Sequence, residues 1–269
     1  MKLLYLVPKK IYDTKMSRDR FQQVEAIKQL PGVVVHISGP GWPDWKWSEI
    51  IGPDNNSGSM EVLEQDQKPD LILSYQLTLK GLTKIPVVVL IKEGFDRIKV
   101  QETIFGNDAS LVIFQHLNIL RAWGDLAQNR WLAHLPHCAH LPLYPEPILD
   151  FHERPIDLLV IGNMNNTYYP FRVRLRDLAW KIMRKRGYQV EILHHPGYVL
   201  PNPPGTYTGV AYAAKLQQAK IVLSCSGHAK AAFLKYVEVP MAGAVHGADL
   251  PEDRNDFIKD TILELSPHE

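Results

Sequence analysis

The segment KIVLSCSGHAKAAFLKYVEVPMAGAVHGAD, residues 220–249, decides the fold class. Lys220–Ser226 is a short run of β-branched and apolar residues, the pattern of a strand. The small polar loop Ser226–Ala229 follows, and residues 231–243 predict a helix carrying Lys235 and Glu238 on roughly one face. Pro240, Ala242 and Gly243 break that helix, and residues 244–249 predict the last strand. Working outward, IDLLVIG (156–162) and YQVEIL (188–193) read as strands. FRVRLRDLAWKIMRKR (171–186) reads as a basic amphipathic helix stopped at Gly187, and VAYAAKLQQA (210–219) as another helix. The first half has the same rhythm. KLLYLV (2–7), VVVHIS (33–38), DLILSY (70–75), PVVVLI (86–91) and SLVIFQ (110–115) predict strands. Phe21, Val24, Ile27 and Leu30 form one face of a helix over 18–30, closed by Pro31-Gly32.

Continuous apolar runs suit strands buried on both faces, as in a parallel sheet covered by helices. Strand and helix alternate on both sides of the proline-rich stretch 135–155, which marks a linker. The expected architecture is therefore α/β, with two Rossmann-like domains, 1–145 and 146–269, facing across a cleft. In such sheets ligands bind beyond the carboxyl ends of the strands. That directs the search to the loops after residues 7, 38, 75, 91, 115, 162, 193, 226 and 249.

Composition narrows the function classes. The 269 residues are 45% hydrophobic and 22% charged, an ordinary globular balance. Thirty basic residues against 29 acidic ones lack the excess expected of a duplex nucleic-acid binder, so no nucleic-acid partner is expected. The longest apolar run, Ile85 to Ile91, is far short of the roughly 20 residues of a membrane span. The start MKLLYLVPKK has no signal-peptide cleavage site, and Cys138 and Cys225 make no disulfide framework. A cytoplasmic protein is expected. The chain has no GxGxxG fingerprint, P-loop lysine motif or GxSxG elbow. His137-Cys138-Ala139-His140 fits no zinc spacing, so no metal is expected.

The parts of 220–249 suit an activated-sugar donor. A diphosphate calls for backbone N–H groups and the positive end of a helix, which Ser226, Gly227, His228 and Ala229 would supply. A ribose calls for a carboxylate such as Glu238, and small residues such as Ala242 and Gly243 permit close backbone approach. Here the sequence resembles the glycosyltransferases of the GT-B fold, in particular their group-1 C-terminal domain. The resemblance runs through IDLLVIGNMNNTYYPFRVRL (156–175), YAAKLQQAKIVLSCS (212–226) and KYVEVPMAGAV (235–245).

The resemblance implies a nucleotide-sugar donor, UDP- or GDP-linked, as co-substrate, with no obligatory cofactor. It implies that Glu238 contacts the donor ribose and that the loop 162–172, with Gly162, Asn163 and Arg172, lies under the phosphates. Many retaining members carry a glutamate eight residues before the ribose one. Here that position is Lys230, whose ammonium suits a donor phosphate. The long loop 194–209 offers His195, Tyr198 and Tyr207 to a nucleobase, or is merely structural. With Lys235 and Gly243 these residues make up the expected donor site. In the first half, Glu93, Asp96 and His116 follow predicted strands and are the candidates to take the acceptor hydroxyl's proton. Asp13 and Arg18 are also within reach of the expected cleft. Trp42, Trp45 and Trp47 offer aromatic faces to a sugar, or serve as buried indoles. The acceptor can be a glycan, a lipid or a protein. Two other readings stay open: a nucleotide-sugar epimerase of the same fold, and a non-catalytic two-domain binding protein.

Overall fold

A computed structural model describes residues 1–13, 22–45, 68–75, 77, 85–92, 96–144, 146, 148–197, 203–252 and 256–266. They divide into two compact units, Met1–Pro136 and His137–Glu269. The first contains β1 (Lys2–Leu6), α1 (Lys9–Asp13), α2 (Gln22–Lys28), β2 (Val34–Ser38), β3 (Leu71–Ser74), β4 (Val87–Ile91), α3 (Arg97–Gly106), β5 (Leu111–Phe114), α4 (Leu117–Trp123) and β6 (Trp131–His134). Its six strands are parallel, in the order β2-β1-β3-β4-β5-β6.

The strands form because alternate residues enter different cores. Leu4, Leu6, Ile72, Val87, Val89, Val112 and Phe114 pack on one face of the sheet. Leu3, Tyr5, Leu73, Val88 and Leu90 pack on the other. With both faces buried, no polar alternation survives in the sequence.

The second unit contains β7 (Ile156–Ile161), α5 (Pro170–Leu178), β8 (Val190–Leu193), α6 (Gly209–Gln217), β9 (Ala219–Leu223), α7 (Lys235–Met241), β10 (Val245–Ala248), α8 (Asp256–Thr261) and β11 (Ile262–Glu264). The parallel order is β11-β10-β9-β7-β8. Leu159, Ile161 and Val222 bury on one face, Leu158, Val160 and Leu223 on the other.

Several elements differ from expectation. The strand at 245–248 is not the last, because β11 pairs beside it. The helix expected over 171–186 is α-helical only to Leu178. A π-helical turn, Ala179–Met183, and a 3-10 turn, Arg184–Arg186, then carry it to left-handed Gly187. The helix expected over 231–243 begins at Lys235, and Pro240 does not break it but stands inside it, the helix ending one residue later at Met241. The edge strand β6 and the helices α3 and α4 had no signal in the sequence pattern. No helix among the described residues is long and apolar enough to cross a membrane.

Candidate functional site

Strand order fixes where a site can form. From β7 the chain moves one way to β8, then crosses to β9 and continues outward through β10 and β11. The direction reverses between β7 and β9, and a crevice opens at such a reversal beyond the carboxyl ends of the strands. The loops that border it follow β7 (162–169) and β9 (224–234).

The two loops are fastened to each other. Gly162 turns the chain at φ +99°, and a Cβ there would stand 2.7 Å from Arg172 Nη1. Arg172 is buried. Its Nη1 donates to Asn163 O at 2.9 Å, its Nη2 donates to Cys225 O at 3.0 Å, and its guanidinium lies 4.2 Å from the Tyr169 ring centre. The phosphate-ligand candidate thus bridges the β7 loop and the end of β9. His228 N donates to Tyr168 O at 2.7 Å. Gly227, at φ +69°, allows the Tyr169 ring to within 2.8 Å of where a Cβ would be.

A third loop joins at Asp249, a buried residue that sequence reasoning did not select. Ser226 donates to it twice, from N to Oδ1 at 2.8 Å and from Oγ to Oδ2 at 2.6 Å. Tyr236 OH donates to Asp249 O at 2.6 Å, and Lys230 Nζ stands 3.4 Å from Oδ2. Burial, and then the Asp249 charge, raises the Tyr236 hydroxyl pKa well above the usual range, so Tyr236 remains a donor. The only sequence signal for Asp249 was its place at the end of a predicted strand. Beneath this cluster, Ser224 Oγ and His246 Nε2 are 2.7 Å apart. Burial, and then the Arg172 charge, lowers the His246 pKa to about 3, so the imidazole is neutral.

Ser226–Ala229 do not abut the helix, because Lys230–Leu234 intervene before α7. The helix-end contribution to anion binding expected of them is therefore absent. Lys230 adopts φ +49°, unusual for a residue with a side chain. In the first turn of α7, Lys235 Nζ and Glu238 Oε2 form an ion pair at 2.6 Å, and Lys235 lies 4.6 Å from the Tyr212 ring centre. Glu238 is buried and Lys235 half-buried, so the pair is not the solvent-exposed i,i+3 contact that the spacing alone suggests. Burial favours a neutral Lys235, but the Glu238 carboxylate and Tyr212 outweigh it and hold the ammonium above its ordinary pKa.

Other candidates lie apart. Gly243 precedes β10, at the amino ends of the strands. A Cβ there would meet Arg154 Nη2 at 2.8 Å and Ile148 at 2.9 Å, so its small size serves packing at that edge. His195 follows β8, and its Nδ1 accepts from Gly197 N at 3.0 Å. Tyr198 is outside the described residues.

In the first unit the reversal lies between β1 and β3. The candidate bases follow β4 and β5 instead. Asp96 caps α3, its Oδ1 accepting from Ile98 N at 3.0 Å and Lys99 N at 3.3 Å. His116 is buried at the cap position of α4. Glu93, Arg18 and Trp47 are outside the described residues. Trp45 is buried, and Trp42 donates from Nε1 to Val7 O at 2.9 Å while meeting Tyr12 edge-on, so both act in packing. No group of three or more His, Cys, Asp or Glu among the described residues is arranged to hold a metal ion.

No protein-family model matches the sequence, and no curated protein matches it. Solved structures do. Sucrose-phosphate synthase from Thermosynechococcus elongatus is similar with a TM-score of 0.55 and 11% identity, over 93% of this chain and 81% of that one. An alpha-glucosyltransferase, solved with UDP and a 13-mer DNA containing an HMU base, has a TM-score of 0.55 and 10% identity, over 100% of this chain and 87% of that one. At such identities the likeness is one of fold. The chain has the GT-B fold of glycosyltransferases, built from two Rossmann-like domains.

Proposed function

We propose that this protein is a glycosyltransferase that moves a sugar from a nucleoside-diphosphate donor, UDP- or GDP-linked, to an acceptor. Residues 146–269 hold the donor and residues 1–145 serve the acceptor. The observation that carries the reading is the grouping of Lys230 and the Lys235–Glu238 pair on the segment after β9, at the reversal of the second sheet.

Transfer breaks the bond between the sugar's anomeric carbon and the diphosphate oxygen. It forms a bond from that carbon to an acceptor oxygen, whose proton leaves. Negative charge then grows on the departing diphosphate. A positioned ammonium stabilises that charge more in the transition state than in the ground state. Lys230 has this role, with its Nζ placed by Asp249. Glu238 accepts from the ribose hydroxyls while retaining Lys235 as its partner. Gly162, Asn163, Arg172, Ser226, Gly227 and His228 shape the phosphate floor, and His195 and Tyr198 border the base. The acceptor's proton passes to Glu93, Asp96 or His116.

The test is nucleotide release. Incubation with a panel of UDP- and GDP-sugars should liberate nucleoside diphosphate with one of them, faster when an acceptor is present. Conversion of the sugar with its nucleotide still attached would identify an epimerase. Tight binding without turnover, across a broad acceptor panel, would identify a binding protein.

A further inference from the structure

Strands β3, β4 and β5 of the first unit are followed by polar side chains on one face of the sheet. Leu73 and Tyr75 from the β3 segment, Val88 and Leu90 on β4, and Leu111 and Ile113 on β5 all pack in the same core. Side chains alternate along a strand, so Lys92 and Gln115 continue that face at the carboxyl ends of β4 and β5. The position of Lys92 agrees, with its Nζ 4.9 Å from the Tyr75 ring centre. Lys92 and Gln115 are neighbours across the sheet, since Ile91 pairs with Phe114 and Gln115 N donates to Ile91 O at 3.0 Å. Tyr75, Lys92 and Gln115 thus form a row, and each of them is buried.

Gln115 is the anomaly in this row. It is 6% exposed, and its buried Oε1 has no hydrogen-bond partner among the described residues. Enclosing a carboxamide without a partner is costly, and the large majority of buried polar side-chain atoms in folded proteins are bonded. Other buried polar side chains of this unit follow that rule. Asn107 donates from Nδ2 to Leu77 O at 2.8 Å and to Thr103 O at 2.6 Å. Ser74 Oγ donates to Leu77 O at 3.0 Å. The unused bonding capacity of Gln115 lies beyond the carboxyl end of a parallel strand, the side of such sheets on which ligands bind.

We infer that Gln115 binds the acceptor and that the acceptor is a polyhydroxylated sugar. The inference rests on the glycosyltransferase reading and names the substrate class for its acceptor side. A carboxamide carries acceptor lone pairs and two N–H donors side by side. It takes the proton of one hydroxyl and donates to the oxygen of the next, the pattern that adjacent hydroxyls of a sugar ring present. The Lys92 ammonium brings further donors to the same row. A serine side chain or a lipid alcohol offers a single hydroxyl and matches only part of it. His116, a candidate to take the acceptor's proton, follows Gln115 directly in the chain.

Saturation-transfer NMR on the full chain tests the site, because it detects binding without turnover. Glucose, galactose, mannose, fructose and N-acetylglucosamine serve as probes, each with and without UDP or GDP. At least one should bind. Gln115→Leu should weaken that binding about tenfold or more, since sugar hydroxyls would lose their partner in an enclosed place. No bond within the protein is lost, so its melting temperature should hold or rise. Gln115→Met, closer in shape, should behave in the same way. A fall in melting temperature in both variants would show that the carboxamide is bonded within the protein and would overturn the inference. So would full sugar affinity in either folded variant, a wild-type chain that binds none of these sugars, or a serine-containing peptide that binds as tightly as they do. Sugar binding that depends on Gln115, in a chain that releases no nucleotide from any nucleotide sugar, would uphold the site and refute the transferase reading alone.

Discussion

Lys235 and Glu238 show how burial changes the meaning of a sequence spacing. An exposed i,i+3 pair contributes only about 0.2–0.5 kcal/mol, and removing one partner would scarcely move a melting curve. In the structure both side chains are largely enclosed, with Tyr212 against the ammonium. Removing the carboxylate strands a charge in a poorly solvated place, which costs about 3–5 kcal/mol. Glu238→Ala should lower unfolding stability by that order in urea titrations. Adding Lys235→Met should recover most of the loss, since no unpaired charge then remains. His246 makes a second residue-level prediction. Its pKa is about 3 in the folded protein, lowered by burial and by Arg172, against about 6.5 unfolded. Between these values the unfolded chain holds a proton that the native chain lacks. Its contribution is therefore complete above about pH 6.5 and is lost as pH falls toward 3, by at most about 1.4 kcal/mol per pH unit. His246→Asn should flatten the stability–pH curve in that window and leave the rest unchanged.

At the scale of elements, the turn after β7 is the most constrained feature of the site. Gly162 has a positive φ and Arg172 packed against it, whereas Gly187 has a similar φ and nothing within 4 Å of where a Cβ would stand. Gly187→Ala should cost about 1 kcal/mol, the backbone penalty alone. Gly162→Ala should cost about 3 kcal/mol, because it also displaces a buried guanidinium bonded to two loops. Denaturation midpoints of the two variants decide this. The strands were legible because β4 and its neighbours are uninterrupted apolar runs buried on both sides. The edge strand β6 was not, since Trp131 is 80% exposed and the run carries no period. Helix α3 buries only Val100 and Ile104, too few for a helical stripe to stand out. Lys230 and Glu238 could be placed after a strand from sequence. Asp249 could not be connected to Ser226, because that contact depends on β10 lying beside β9.

For the molecule as a whole, two parallel sheets with their own cores and their own reversals of direction define the architecture. Identities of 10–11% to structures sharing that architecture show how little of it requires particular residues. Alternating apolar runs and a proline-rich break carry most of the information, so the two-domain plan could be read directly. The acceptor side could not, because a catalytic base is one carboxylate or imidazole among many in loops. Asp96, for one, turns out to cap α3, a helix that the sequence pattern did not reveal. The reversal in the second sheet is the proposed binding place of the nucleoside-diphosphate sugar. Amide hydrogen exchange, followed by mass spectrometry with and without saturating UDP- or GDP-sugar, tests it most directly. Bound donor should slow exchange in peptides covering 162–172, 224–238 and 245–250. Unchanged exchange there, or protection confined to residues 1–136, would contradict it.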